Sequence, residues 1–80
     1  MYFVYILKSL KKKWYYVGST NNIERRLKEH NKLKVESTKF YVPLELVYVN
    51  KFETEREARD CERRIKDQRT LKESIIKNLK

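Results

Sequence analysis

Three consecutive stretches decide the fold: Tyr2-Phe3-Val4-Tyr5-Ile6-Leu7, then Trp14-Tyr15-Tyr16-Val17-Gly18-Ser19-Thr20, then Asn21-Asn22-Ile23-Glu24-Arg25-Arg26-Leu27-Lys28-Glu29-His30. The first is β-branched and aromatic with no breaker, which reads as a strand. Its apolar residues fall on both parities, so both faces are covered, as suits a central strand. Ser9 to Lys13 is a polar turn without glycine, which implies a loop of about four residues rather than a tight two-residue turn. Trp14 to Gly18 reads as the second strand of a hairpin. Gly18 is the only glycine and stands where the strand pattern gives way to a helix pattern. A glycine there permits a positive φ, or the close approach of another backbone or a phosphate.

Outward from this stretch the chain continues in the same compact style. Ser19 to Asn22 is rich in N-cap residues, and Ile23, Leu27 and His30 to Asn31 follow helical spacing. A first helix is therefore predicted from about Asn22 to Leu33. Lys34 to Tyr41 is a polar link without periodicity. Pro43 ends any helix, and Leu44 to Phe52 reads as a third strand, with Leu44, Leu46 and Tyr48 on one parity and Val47 and Val49 on the other. Glu53-Thr54-Glu55 opens a second helix, with Thr54 as cap and acids in its first turn. Ala58, Cys61 or Glu62, and Ile65 mark its inner face. Thr70 is the predicted cap of a short last helix carrying Leu71, Ile75 and Leu79 at i, i+4, i+8. The sum is an α+β domain, ββαβα with a terminal helix, its three-stranded sheet in the order 2-1-3.

Eighty residues suit one domain. A chain this short buries only about 60–65% of the surface it exposes when unfolded, so its ten aromatic residues must supply much of the core. The longest apolar run, Tyr2 to Leu7, is far short of the ~20 residues of a membrane span, and no signal-peptide pattern is present. The lone Cys61 has no disulfide partner within the chain, which fits a reducing compartment, most simply the cytoplasm. Its surroundings in sequence suggest a small buried residue rather than a nucleophile. The net charge is +9, with basic residues from Lys8 and Lys11 to Lys13 through Arg25, Arg26 and Lys28 to a cluster from Arg63 to Lys80. Such a balance points to nucleic acid by electrostatics, and to no membrane partner, since no helix joins a basic face to a broad aromatic one.

Around the glycine corner stand residues able to do chemistry. Tyr5 lies mid-strand, and Tyr16 lies two residues before Gly18. Arg26 and His30 are i, i+4 on one helix face. Glu62 lies on the second helix. Two hydroxyls, a guanidinium, an imidazole and a carboxylate suit phosphodiester hydrolysis, which needs a base near a water and positive charge on the phosphate oxygens. Read singly, each has a plainer role: cross-strand aromatics for the tyrosines, a solvated charge for Arg26, a helix-end hydrogen bond for His30, an ion pair with Arg59 or Lys66 for Glu62. His30 is the only histidine, which excludes a multi-histidine metal site.

Val4-Tyr5-Ile6, followed eleven residues after its tyrosine by Tyr16-Val17-Gly18, resembles the two signature elements of the GIY-YIG nuclease family. Ser19 to His30 is similar to that family's helix segment, and Glu57 to Lys66 to its glutamate helix. The likeness covers nearly the whole chain and is nearest the small standalone bacterial subfamily. It implies that Tyr5 and Tyr16 bracket an attacking water, one of them as general base. It implies that Arg26 holds the scissile phosphate, that His30 hydrogen-bonds within the site and relays a proton, and that Glu62 binds one Mg²⁺ or Mn²⁺ ion. Phe3 stands where the first motif has glycine and Val17 where the second has isoleucine; both are packing positions. A late Asn or Gln of many family sites would be Gln68 or Asn78.

The resemblance thus implies a metal-dependent endonuclease acting on DNA, a type of enzyme used in DNA repair. Gly18, Lys11, Lys12, Lys13, Arg25 and Lys66 are the candidate nucleic-acid contacts. The alternative is a nucleic-acid-binding module with the same basic surface and little catalysis. Larger family members, such as the excision-repair nicking subunit and homing endonucleases, leave the choice of DNA to other domains. No zinc-ligand cluster or helix-turn-helix pattern supplies that here, so a partner protein is implied as the source of specificity.

Overall fold

A computed structural model describes residues 1–79. The end of the basic cluster, Lys80, lies outside the described residues. The elements run β1 (Tyr2–Ser9), β2 (Tyr15–Thr20), α1 (Ile23–Asn31), β3 (Leu44–Phe52), α2 (Glu55–Asp67) and α3 (Arg69–Asn78). The sheet order is β2-β1-β3 with both pairings antiparallel, as the hydrophobic pattern predicts. No helix among the described residues is long and apolar enough to cross a membrane.

Because β1 is central, its two faces build two separate cores. Val4 and Ile6 pack with Val17, Ala58 and Ile65, joined by Cys61, Leu71 and Ile75, so α2 and α3 cover this face. Tyr5, Leu7 and Leu44 form the other core with Trp14, Tyr16, Ile23, Leu27 and Tyr41. That face is covered by α1 and the segment leading into β3. Val4, Ile6 and Leu7 are each at most 1% exposed. The expected alternation along β3 breaks once. The register slips between Ile6 and Leu7, so Tyr48 faces Ile6 while Leu46 faces Leu7. The bulge puts Tyr48 on the α2 side with Val47, whereas Leu44 and Leu46 stay on the α1 side.

The helix ends explain themselves locally. Asn22 caps α1 by accepting from the Arg25 N–H at 3.0 Å, a contact of about 1 kcal/mol. Thr54 caps α2: its hydroxyl oxygen accepts from the Glu57 N–H and its hydroxyl proton goes to the Glu57 carboxylate. Thr70 is not the cap of α3. Gln68, in extended conformation, closes α2 through its N–H to the Arg64 carbonyl, and its own carbonyl accepts from Lys72. One residue thus separates the helices, and Thr70 falls inside the second.

α1 stops at Asn31, short of the predicted Leu33, because Leu33 adopts φ 64°. The Lys34 N–H reaches the Glu29 carbonyl and the Leu33 N–H that of His30, the two bonds of a Schellman motif. Glycine usually occupies this left-handed position, which strains any L-residue with a Cβ. Leu33 is 57% exposed and contributes little burial in return. Leu33→Gly should therefore raise unfolding free energy by roughly 0.5–1 kcal/mol in urea denaturation, with no change in m-value. A loss of stability would show that the Leu33 side chain packs more than its exposure implies.

Candidate active site

Gly18 pairs with Tyr5 across the β1–β2 ladder. Its φ is not positive, so the conformational reason for a glycine does not apply here. The reason is space. A Cβ on Gly18 would lie 2.6 Å from Tyr5 Oη, 2.8 Å from its Cζ and 2.9 Å from Tyr16 Cε2. The phenol of Tyr5 lies across the strand where a side chain would be. Gly18 is itself buried, and these rings, not open space for a phosphate, fill the room above it.

Crossing Gly18 lets Tyr5 reach α1. Tyr5 Oη and His30 Nε2 are 3.1 Å apart, and His30 Nδ1 lies 2.8 Å from Thr38 Oγ1. Tyr5 is 2% exposed, and His30 and Thr38 are fully buried. The Tyr16 ring stands edge-on to His30 at 5.0 Å and 6.3 Å from the Tyr5 ring. It is half-buried, the more accessible of the two tyrosines. Burial pushes the Tyr5 hydroxyl up to about 12, the charge of nearby Arg26 opposing the rise. Burial, reinforced by Arg26, brings His30 down to about 4. Both groups are therefore neutral at pH 7, a phenol and an imidazole in one buried network.

Glu62 comes from the opposite face of the sheet. Alternation along β2 turns Ser19 toward α2, where its hydroxyl donates to Glu62 Oε1 at 2.5 Å. Lys66, one turn later, donates to Oε2 at 2.6 Å, and its ammonium lies 5.8 Å from the centre of the Tyr16 ring. Lys66 thus spans the exposed edge of β2 and links the carboxylate to the tyrosine face. Arg26 is one-third exposed and holds Glu29 through one arm, Nη1 to Oε1 at 3.0 Å. With Ser19, Asn21, Arg25 and Arg59 it lines an open cleft of about 300 Å³ beside the start of α1.

The structure therefore brings Tyr5, Tyr16, His30, Arg26 and Glu62 around one strand edge, with Lys66 and Arg25 beside them. Lys11, Lys12 and Lys13 stay apart. They are exposed at the hairpin tip, at the other end of β2 from Ser19, on the order of 15–20 Å along the strand. Gln68 and Asn78 are exposed, and neither hydrogen-bonds to a site side chain. Cys61 packs on the α2 core, and burial raises its thiol, as suits an inert cysteine. Two residues that sequence reasoning missed are Ser19 and Thr38. Ser19 follows the glycine directly, and its sequence signal is only that of a cap-rich run. Thr38 lies in a link with no periodicity and carries no signal of its own.

The sequence model of the GIY-YIG catalytic domain matches residues 1–74. The chain belongs to the GIY-YIG family. It is 39% identical over 62 residues to the UPF0213 protein YazA of Bacillus subtilis, covering 76% of this chain and 62% of that protein. It is 45% identical over 67 residues to the UPF0213 protein CPE1444 of Clostridium perfringens, covering 82% and 71% respectively. The chain thus spans less than two thirds of the YazA length. The solution NMR structure of the UPF0213 protein BH0048 from Bacillus halodurans superposes with a TM-score of 0.59 at 31% identity, covering 95% of this chain and 82% of that one. Within the GIY-YIG fold seen here, Val17 fills the core at the second-motif position, and Phe3 pairs with Thr20 at the first-motif glycine position.

The buried imidazole has a consequence for stability. His30 takes up a proton near 6.5 in an unfolded chain but only near 4 in the GIY-YIG fold. Between these values the unfolded chain binds more protons, so stability falls as pH drops from 6.5 toward 4. Urea denaturation from pH 7 to pH 5 should show a loss of about 1–2 kcal/mol that is reduced in His30→Gln. An equal slope in both proteins would place the titrating group elsewhere.

Proposed function

We propose that this chain is a metal-dependent endonuclease that hydrolyses phosphodiester bonds in DNA. Its family is that of a nuclease catalytic domain, which gives the class of chemistry. The observation that carries the finer reading is the convergence of Tyr5, His30, Tyr16, Arg26 and Glu62 on one edge of β2. The open cleft beside it is lined by Arg25, Arg26 and Arg59, against one carboxylate, Glu55, paired with Arg59, and this cationic excess suits a polyanionic backbone.

Each side chain has a task in that reading. Tyr16, the more accessible tyrosine, brackets the attacking water. The water gives its proton to Tyr5 Oη as Tyr5 passes its own proton to His30 Nε2. The water oxygen bonds to phosphorus as the bond to the leaving sugar oxygen breaks, and that oxygen takes a proton from solvent. A phenol pushed up to about 12 is no base unless its proton has somewhere to go, and His30 Nε2 is in reach. Since burial and Arg26 hold that imidazole down to about 4, it takes the proton once a bound phosphate offsets the charge of Arg26. Arg26 frees its fork from the exposed Glu29 pair to hold the scissile phosphate, whose negative charge grows during attack. Among the described residues no group of three or more His, Cys, Asp or Glu could hold a metal. Glu62 offers one carboxylate, ordered by Ser19 and one-fifth exposed. A single hard oxygen ligand fits Mg²⁺ or Mn²⁺, ions that take their other ligands from water and phosphate. Such an ion would neutralise charge on the phosphate oxygens.

One observation favours the second reading, a nucleic-acid-binding module with little catalysis. Lys66 already neutralises Glu62 at 2.6 Å and would have to yield that oxygen to a metal. A nicking assay on supercoiled plasmid with Mg²⁺ or Mn²⁺ separates the two. The endonuclease reading predicts metal-dependent nicking that falls about 100-fold or more in Glu62→Gln and in Arg26→Ala, with the fold intact. It also predicts salt-sensitive DNA binding in both variants. Binding without nicking in every protein and with every metal would establish the binding module instead. In that case a partner protein would have to supply the cutting.

A further inference from the structure

We propose that Thr38 is a positioning residue that fixes the tautomer of His30 and so aims the hydroxyl proton of Tyr5 at Nε2. The effect on rate rests on the endonuclease reading above; the tautomer itself does not.

Three buried side chains share a small, countable set of protons. Thr38 Oγ1 lies 3.3 Å from the Val35 carbonyl, which can only accept, so the single hydroxyl proton of Thr38 has an acceptor there. Toward His30, 2.8 Å away, Thr38 is left with a lone pair. The proton between them therefore sits on Nδ1. A neutral imidazole carries one N–H, so Nε2 is bare and accepts. The other end of the chain agrees. Tyr5 has a proton to place, and its charged neighbour Arg26 has donors only. His30 Nε2 at 3.1 Å is the acceptor available to it. The reverse tautomer would leave the Tyr5 proton with no protein acceptor, at a residue only 2% exposed, a cost of about 1–3 kcal/mol.

The segment that carries Thr38 is held as a rigid strut. The Thr38 N–H donates to Val35 and the Tyr41 N–H to Thr38. The Tyr41 carbonyl accepts from the buried Ser9 hydroxyl at 2.7 Å, and its ring stacks on Trp14 at 3.8 Å with the planes 8° apart. The Leu10 N–H donates to Pro43. An aperiodic link needs none of this merely to connect α1 to β3. The pinning sets Thr38 against the far side of the imidazole from Tyr5. When Tyr5 passes its proton to Nε2, the Nδ1–H bond to Thr38 stabilises the imidazolium that forms.

The test reads the tautomer directly. His30 is the only histidine, so a long-range ¹H–¹⁵N spectrum of uniformly labelled protein shows one imidazole with no assignment problem. The wild type at pH 7 should show the Nδ1–H form, and Thr38→Ser, which keeps the hydroxyl, should show the same. Thr38→Val should lose that preference. Under the plasmid assay Thr38→Val should cut about 10- to 100-fold more slowly, with Thr38→Ser near wild type. An Nε2–H imidazole in the wild type overturns the proposal, even if Thr38→Val fails to fold. So does a Thr38→Val protein that keeps the Nδ1–H form and full cleavage. A wild type that cuts nothing, yet shows the predicted tautomer lost in Thr38→Val and kept in Thr38→Ser, supports the positioning and sinks the hydrolase reading instead.

Discussion

Tyr5 crosses β2 over the one position in the chain that has no side chain, and the rest of the site hangs on that crossing. With any Cβ at Gly18 the phenol oxygen would meet carbon at 2.6 Å. Something would have to shift, and the nearest thing able to shift is the hydroxyl that meets His30. The glycine is thus a packing requirement of the chemistry, not a turn residue. It also explains why a strand otherwise built of aromatic and β-branched residues tolerates a residue that weakens strands. The Tyr5 and Tyr16 rings cover the exposed backbone and restore part of the lost burial.

Around this crossing the protein separates two electrostatic regimes by a few ångströms. Tyr5, His30 and Thr38 form a buried chain that is neutral and fully hydrogen-bonded. Outside it lie Glu62, Lys66, Arg26 and Glu29, charged and partly in water. Burial keeps the inner groups neutral, whereas the outer ones stand in ion pairs that water reaches. In the proposed hydrolysis a proton relay uses the first property, and charges that exchange with phosphate or metal use the second. The sheet stands between the buried chain and Glu62, whereas Arg26 and Glu29 share α1 with His30, and the edge of β2 keeps all of them adjacent. α1 supplies Arg26 and His30 on one face, and α2 supplies Glu62 on the other.

The fold was largely legible in the sequence because its signals are local. Strand composition, the Asn22 and Thr54 caps and the hydrophobic parity of β1 led to the right elements and the right sheet order. What was hidden depends on distant partners. The bulge at Val47 reflects two cores competing for β3, and no residue in β3 announces it. Leu33 holds a glycine's place at the end of α1. Thr70 has the right chemistry for a cap, yet Gln68 already ends one helix and begins the next. In the site, Tyr5, Tyr16, Arg26, His30 and Glu62 could be named because family spacing marks them. Ser19 and Thr38 could not, since each acts by orienting another side chain from 43 and 8 residues away. That is a property of the folded geometry alone.

The central claim is that Tyr5 is a protonated phenol whose hydrogen is held by a neutral His30. Tyrosine labelled with ¹³C at Cζ reports phenol ionisation directly, and a Tyr5→Phe comparison identifies the resonance. The account predicts that Tyr5 stays protonated through pH 10 and ionises only near 12, for as long as the fold persists. A Tyr5 resonance that titrates at or below 10, the ordinary value for a free tyrosine, would contradict it.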